Sequence, residues 1–120
     1  MRPHFRFEDL EIWYRARKLA VQFHQLAEQL EQKRLYRYAE QLRGAGLSLP
    51  NNIAEGSGST HPKELKRFLN IARNSLFEDA SMLLVFESMG LVKTSEVDPL
   101  LAECDLLSRK ITCFSRTIVE

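Results

Sequence analysis

The sequence is poor in the residues that make turns and membrane spans. Its 120 residues include only five Gly and four Pro, too few for the many turns of an all-β fold. No run approaches the roughly 20 consecutive apolar residues that a membrane span requires, and the N-terminus lacks the apolar stretch of a secretory signal. We therefore expect a cytoplasmic protein. A chain of this length can bury one core without cross-links, so we expect a single domain over residues 1–120.

The chain also lacks the residue patterns of common catalytic and metal sites. Cys104 and Cys113 fall on one predicted helix, roughly 13 Å apart along its axis, too far for a disulfide, and we expect both to be free core thiols. No His-Glu-x-x-His, Gly-x-Ser-x-Gly, phosphate-binding glycine loop or Cys-x-x-Cys is present. The three histidines, His4, His24 and His61, fall on separate segments. We therefore expect no enzyme activity, no cofactor and no metal.

What the chain does have is apolar residues recurring every three or four positions, as in amphipathic helices. The stripes run from Trp13 to Leu30, from Leu35 to Ile53, from Leu65 to Phe86 and from Val97 to Ile118. They predict helices over about residues 9–31, 33–55, 61–89 and 95–118. Pro50 lies inside the second and removes a backbone hydrogen bond, so we expect that helix to be kinked there. Short connections make consecutive helices antiparallel, which predicts an all-α, up-down-up-down four-helix bundle.

Polar and small residues at the helix ends give finer expectations. Acidic residues around Asp9 suit the positive end of the first helix dipole. Gly90 is expected to terminate the third helix, and Ser95 with Asp98 resembles a capping pair for the fourth.

The segment from residue 41 to residue 56 is unusual for a helix. Its small residues Gly44, Ala45, Gly46 and Ser48 would permit a neighbouring helix to approach closely. Polar residues near Pro50 and on the third helix, where Asp79 also interrupts the apolar pattern, predict a cluster linking the two helices. Its members are Arg43, Asn52, Glu55, Ser75 and Glu78. Such a cluster is either a structural network that fixes the kink and the helix register or a recognition site.

Four motifs carry a resemblance to a known family. They are Phe7-x-Asp9-Leu10-x-x-Trp13, Gln41-Leu42-Arg43, Ser48-x-Pro50-x-Asn52-Ile53-Ala54-Glu55-Gly56 and Phe68-Leu69-x-x-Ala72-x-x-Ser75-Leu76-x-Glu78. Over about residues 7–92 the chain resembles the four-helix-bundle proteins of 23S rRNA intervening sequences, which are encoded within insertions in bacterial large-subunit rRNA genes and were formerly labelled ribosomal proteins. That family is similar to the accessory bundle proteins of diversity-generating retroelements, which partner a reverse transcriptase and RNA. The resemblance implies a four-helix bundle, often a homopentamer, that associates with RNA and has no established activity.

The net charge is only +1, but the predicted bundle distributes it unevenly. The end formed by the start of helix 1, the end of helix 2, the start of helix 3 and the end of helix 4 collects eleven basic and six acidic residues. Seven of the basic residues are predicted to point away from the core: Arg15, Lys18, Lys63, Lys66, Arg67, Arg109 and Arg116. They form a candidate phosphate-binding face. Alternatively, these side chains only solvate helix surfaces.

Two functional interpretations follow. The first is a non-enzymatic, oligomeric accessory protein that contacts RNA, or an RNA-processing protein, through the basic bundle end. The second is a protein–protein scaffold or adaptor without nucleic-acid binding, in which Leu19, Leu26 and Phe77 contact other subunits. A metal- or ligand-binding bundle enzyme ranks last because the chain offers no ligand set.

Overall fold

The computed structural model describes all 120 residues and contains four α-helices. Helix α1 spans Glu11–Gln32, α2 Tyr36–Ser57, α3 Pro62–Ser88 and α4 Thr94–Arg116, and a short 3₁₀ helix over Arg6–Asp9 precedes them. No strand is present, which confirms the prediction of an all-α protein with four helices. The antiparallel order and the kink at Pro50 stay predictions. None of the four helices carries the long apolar stretch that crossing a membrane requires.

The first two helices begin slightly later than the apolar stripes predict. Helix α1 begins at Glu11 because Leu10 is extended, with φ −88° and ψ 123°, and separates α1 from the 3₁₀ helix. Helix α2 begins at Tyr36 because Arg34 has a φ of 63°, in the left-handed region that a right-handed helix cannot include. Local backbone conformation at the two connections therefore sets these boundaries.

The connection between α3 and α4 is a tight turn. Gly90 has a φ of +74°, a conformation that glycine adopts at little cost and that ends α3. The prediction that Ser95 and Asp98 cap α4 is wrong. The carboxylate of Glu96 instead accepts the backbone N–H of Lys93 at 3.1 Å, so α4 begins one residue earlier than expected.

One apolar cluster of 23 buried residues fills the space between the helices. Its fully buried large side chains come from every helix, including Phe23, Leu42, Leu83 and Leu107. Burying such a side chain contributes roughly 1.5–3 kcal/mol, so the shared core is the main term that holds the helices together. Contacts run from α1 to α2, α2 to α3, α3 to α4 and α4 to α1, without a diagonal pair. That pattern is consistent with a bundle.

Two glycines of α2 allow the neighbouring helices to pack closely. A Cβ added to Gly46 would lie 3.0 Å from the Cβ of Phe23 on α1, and one added to Gly56 would lie 2.8 Å from the Cβ of Phe68 on α3. Gly44 has no neighbouring atom within 4 Å of such a Cβ. The close approach expected around residues 44–48 is therefore made at Gly46.

The two cysteines differ in their surroundings. Both are free. Burial raises the pKa of the Cys104 thiol to about 12, with a smaller contribution from the nearby carboxylates of Asp79 and Glu103. Cys113 is exposed, so the expectation that it is a core thiol is wrong, because α4 turns it away from the cluster that contains Cys104.

Candidate nucleic-acid interface

The seven basic residues predicted to bind nucleic acid fall into two groups. Three of them, Arg15, Arg67 and Arg109, form ion pairs. Arg15 lies between two carboxylates, with Nε 3.3 Å from Glu11 and Nη1 3.7 Å from Glu103. Arg67 Nε lies 3.0 Å from Glu64, and Arg109 Nη2 lies 2.8 Å from Asp105. The other four have no carboxylate within 4 Å; they are Lys18, Lys63, Lys66 and Arg116. Only this second group leaves its positive charge uncompensated at the surface.

The paired carboxylates respond to their basic neighbours. The hydrogen bond from Arg67 lowers the pKa of Glu64 and raises the pKa of Arg67 itself. Hydrogen bonds from Lys110 and then from Arg15 lower the pKa of Glu11. Lys110 lies on α4 and reaches Glu11 at 3.1 Å, so this small network also joins α4 to α1. These pairs stay ionised at neutral pH and add no net charge to the surface.

A groove between α3 and α4 brings together basic residues that the sequence places far apart. It has a volume of about 350 Å³ and its apolar lining residues are Leu69 and Ile111. Its polar lining residues are Lys66, Asn70 and Arg73 from α3 and Thr112, Ser115 and Arg116 from α4. We call this site the α3–α4 groove. It joins two of the predicted residues, Lys66 and Arg116, and does not include the other five.

Most of the residues that line the α3–α4 groove were not predicted from the sequence. Lys66, Asn70 and Arg73 are spaced four and three positions apart and so share one face of α3. That spacing was visible in the sequence. What was not visible is that Thr112 and Ser115 of α4 lie opposite this face, because only helix packing brings them there.

The five residues of the predicted polar cluster do not form one hydrogen-bonded network. The Arg43 guanidinium donates to Glu31 and, at 3.4 Å, to His24 Nδ1, both on α1 and not on α3. Asn52 Nδ2 donates to the Ser48 carbonyl at 2.7 Å, and Ser75 Oγ donates to the Ile71 carbonyl at 3.0 Å, each within its own helix. Glu55 and Glu78 have no ion-pair partner. Arg43 therefore joins α2 to α1 and not to α3, where the expected partners lie.

The one buried charged residue of α3 is Asp79, the neighbour of Glu78. Its side chain is 2% exposed, and Oδ2 has no hydrogen-bond partner. Burial raises its pKa from 3.8 to about 7, and the charge of Glu78 adds to the shift. Buried carboxyls are normally paired, so this one lowers the stability of the fold when it ionises.

Two apolar surfaces remain uncovered. On α3, Phe77, Leu84, Val85 and Met89 lie along one face and are each about half exposed. Between α1 and α2 lies a cavity of about 440 Å³, whose lining includes Trp13, Val21 and Leu47. Of the three residues expected to contact other subunits, only Phe77 is exposed. Leu19 and Leu26 are 2% and 4% exposed and belong to the core, so that expectation is wrong for both.

These features define a small all-α protein of four helices with a basic groove between the last two. No group of three or more His, Cys, Asp or Glu side chains is arranged to hold a metal ion. A sequence model described as the 23S rRNA-intervening sequence protein matches residues 8–113, and the chain belongs to that family. The matched segment includes most of α4, whereas the motifs that carry the resemblance in the sequence end before α4 begins. A comparison with curated proteins gives no match.

Proposed function

We propose that the chain is a non-enzymatic accessory protein that forms a homo-oligomer and associates with RNA through one end of a four-helix bundle. The family takes its name from an intervening sequence of 23S rRNA, which makes RNA the first partner to test. The single observation that carries the proposal is the set of surface cations without carboxylate partners. Such side chains bind phosphates through sequence-independent, salt-sensitive contacts.

The proposal includes the up-down-up-down order of the helices, with α2 kinked at Pro50. The Arg6 guanidinium, just before α1, donates to the carbonyl of Ser57 at the end of α2, at 3.3 Å. Lys110, near the end of α4, pairs with Glu11 at the start of α1. Both contacts support an order in which the starts of α1 and α3 share one end of the molecule with the ends of α2 and α4.

Self-association is part of the proposal, with a homopentamer as the stoichiometry that the family resemblance implies. A closed ring requires two different surfaces of each subunit to meet. The apolar face of α3 and the apolar cavity between α1 and α2 are two such surfaces. In a ring with parallel bundle axes, the basic ends of all subunits would lie on one side and their positive potentials would add.

Fluorescence anisotropy with a labelled structured RNA, repeated over a range of salt concentrations, tests the RNA association. We expect the logarithm of the binding constant to fall linearly with the logarithm of salt concentration, by about 0.7 to 0.9 per phosphate contacted. Reversing two charges at the basic end, in Lys66→Glu/Arg67→Glu, is expected to weaken binding and reduce that slope. Helicity measured by circular dichroism should stay unchanged, since neither side chain belongs to the buried core.

A matched control reverses two charges at the opposite end. Lys33→Glu/Arg37→Glu changes the net charge by the same amount but lies at the junction of α1 and α2. We expect it to affect RNA binding much less. If both double variants bind RNA as well as the wild type does, the basic bundle end is not the contact surface.

The second candidate function is a protein–protein scaffold without nucleic-acid binding. The apolar face of α3 is the observation that favours it, because surfaces of this kind mark interaction sites. Absence of RNA binding even at low salt, together with a stable oligomer, would favour the scaffold.

A further inference from the structure

The α3–α4 groove concentrates positive charge without any acidic residue. Lys66, Arg73 and Arg116 all line it, and none of the three has a carboxylate within 4 Å. Elsewhere on the same two helices, Arg67 and Arg109 are paired. Three positive charges around one concave site make the electrostatic potential there more positive, which favours an anion. The apolar side chains of Leu69 and Ile111, which also line the groove, reduce the screening of these charges by water.

The groove also holds uncharged donors that nothing in the protein uses. The side chains of Asn70 and Ser115 make no hydrogen bond within the chain, whereas Thr112 donates to the Ser108 carbonyl at 3.1 Å. The Nε of Arg73 is buried and has no acceptor. Buried donors without an acceptor are rare in folded proteins, and an acceptor supplied from outside the chain accounts for this one.

The position of Arg73 also has a structural explanation. Its guanidinium carbon lies 5.1 Å from the ring centroid of Phe77, one turn further along α3. That contact stabilises the cation from one side. It gives no acceptor to Nε, however, and it does not explain why Lys66 and Arg116 lie in the same groove without a counter-ion.

We infer that the α3–α4 groove is a phosphate-binding site, in which Lys66, Arg73 and Arg116 hold the anion and Asn70 and Ser115 donate further hydrogen bonds. Donors from two helices surround the groove, which suits a tetrahedral group with several oxygens better than a planar carboxylate. Arginine in particular donates two parallel hydrogen bonds to a phosphate. No aromatic side chain lines the groove, so it offers no surface on which a base would stack.

The inference rests on the proposed function in one respect. If the protein associates with RNA, the group held in the groove is a phosphodiester of the RNA backbone. The same chemistry would accept a free phosphate ion, and the two sources need separate measurements.

Titration of the isotopically labelled protein with inorganic phosphate, followed by NMR, tests the groove directly. We expect saturable shifts of the Arg73 Nε–H signal and of the backbone amides of Asn70 and Ser115, which sodium chloride at equal ionic strength does not produce. The variant Lys66→Gln/Arg116→Gln changes only side chains outside the buried core and is expected to lose the saturable shift. Arg73→Lys keeps the charge but lacks the Nε–H donor, and its phosphate affinity should fall about tenfold.

A control for the loss of positive charge outside the groove is Arg37→Gln. Arg37 is exposed at the start of α2, has no carboxylate partner and lies outside the groove. The substitution removes one positive charge without touching the site, so the phosphate shifts should persist. Shifts that are absent from the wild type, or that persist in Lys66→Gln/Arg116→Gln, would overturn the inference.

RNA anisotropy with the same proteins separates the two sources of phosphate. If the groove holds the RNA backbone, Lys66→Gln/Arg116→Gln should bind RNA about tenfold more weakly, with a salt slope smaller by about 1.5. Wild-type protein that binds RNA while the groove variants bind it equally well would show that the groove does not hold the RNA backbone, and it would leave the proposed function standing. A groove that binds phosphate in a protein with no affinity for RNA would support the site and refute the proposed function.

Discussion

Replacing Asp79 by asparagine should stabilise the protein, and the gain should grow as the pH rises. Asp79 occupies a core position of α3, is 2% exposed and leaves Oδ2 without a partner. Burial raises its pKa from 3.8 to about 7. An asparagine side chain has nearly the same shape but no charge at any pH, so Asp79→Asn isolates the cost of ionising a buried carboxyl.

The sign and size of this pH dependence follow from the difference in the pKa of Asp79 between the folded and unfolded states. Between pH 4 and pH 7 the unfolded chain has released the proton while the folded chain keeps it, so the free energy of unfolding falls as the pH rises. The slope is about 1.4 kcal/mol per pH unit in that window, and it levels off above the folded pKa of about 7. We therefore expect the stability advantage of Asp79→Asn over the wild type to increase by ~2 to 3 kcal/mol between pH 5 and pH 8.

Urea unfolding followed by circular dichroism, at one fixed protein concentration, measures this difference. Other groups titrate as well: the pKa of Glu11 and of Glu64 is lowered and that of His4 is raised. They are common to both proteins, so their contributions cancel in the comparison. The matched control is Glu78→Gln, which removes the adjacent carboxylate at a position outside the buried core and should give no comparable gain. An advantage of Asp79→Asn that is the same at pH 5 and pH 8 would refute the argument.

Two further predictions concern packing and assembly. Gly46→Ala should destabilise the fold by about 1 to 3 kcal/mol, because the added Cβ would lie 3.0 Å from a side chain of α1. Gly44→Ala should instead stabilise it by up to ~1 kcal/mol, because alanine has the higher helix propensity and no neighbouring atom lies within 4 Å of the added Cβ. Urea unfolding compares the two variants with the wild type. Phe77→Ser/Val85→Ser should shift the mass measured by light scattering towards the monomer, while Tyr36→Ser, at an equally exposed position on α2, should not. A mass unchanged by the double substitution would remove the α3 face from the assembly.

Much of the fold was predictable because periodicity reports burial directly. Residues three and four positions apart lie on the same face of a helix, so the apolar stripes indicated both the four helices and most of the side chains that pack between them. The family was also recognisable from short motifs, since these combine residues from three of the four helices. Helix ends were less predictable. They depend on single backbone conformations, such as the positive φ of Arg34, that no stripe encodes.

The candidate site was only partly predictable because a stripe does not say which polar residues of two helices meet. The charge pattern indicated that Lys66 and Arg116 belong to the site. The other polar residues that line the groove come from two different helices, Asn70 and Arg73 from α3 and Thr112 and Ser115 from α4, and only helix packing brings them together. Charge alone also could not distinguish Lys66, which has no partner, from Arg67, which pairs with Glu64.

The sequence by itself determined that this chain forms four amphipathic helices, that it has no disulfide within its last helix, and which family it resembles. Those properties depend on spacing along one chain. Tertiary structure decided that Asp79 and not Glu78 is buried, that Arg43 turns towards α1, and that three unpaired cations share one groove. Each of these depends on the rotation of a helix about its axis and on which neighbour it faces, and a change of one residue in that register alters every pair of side chains that meet.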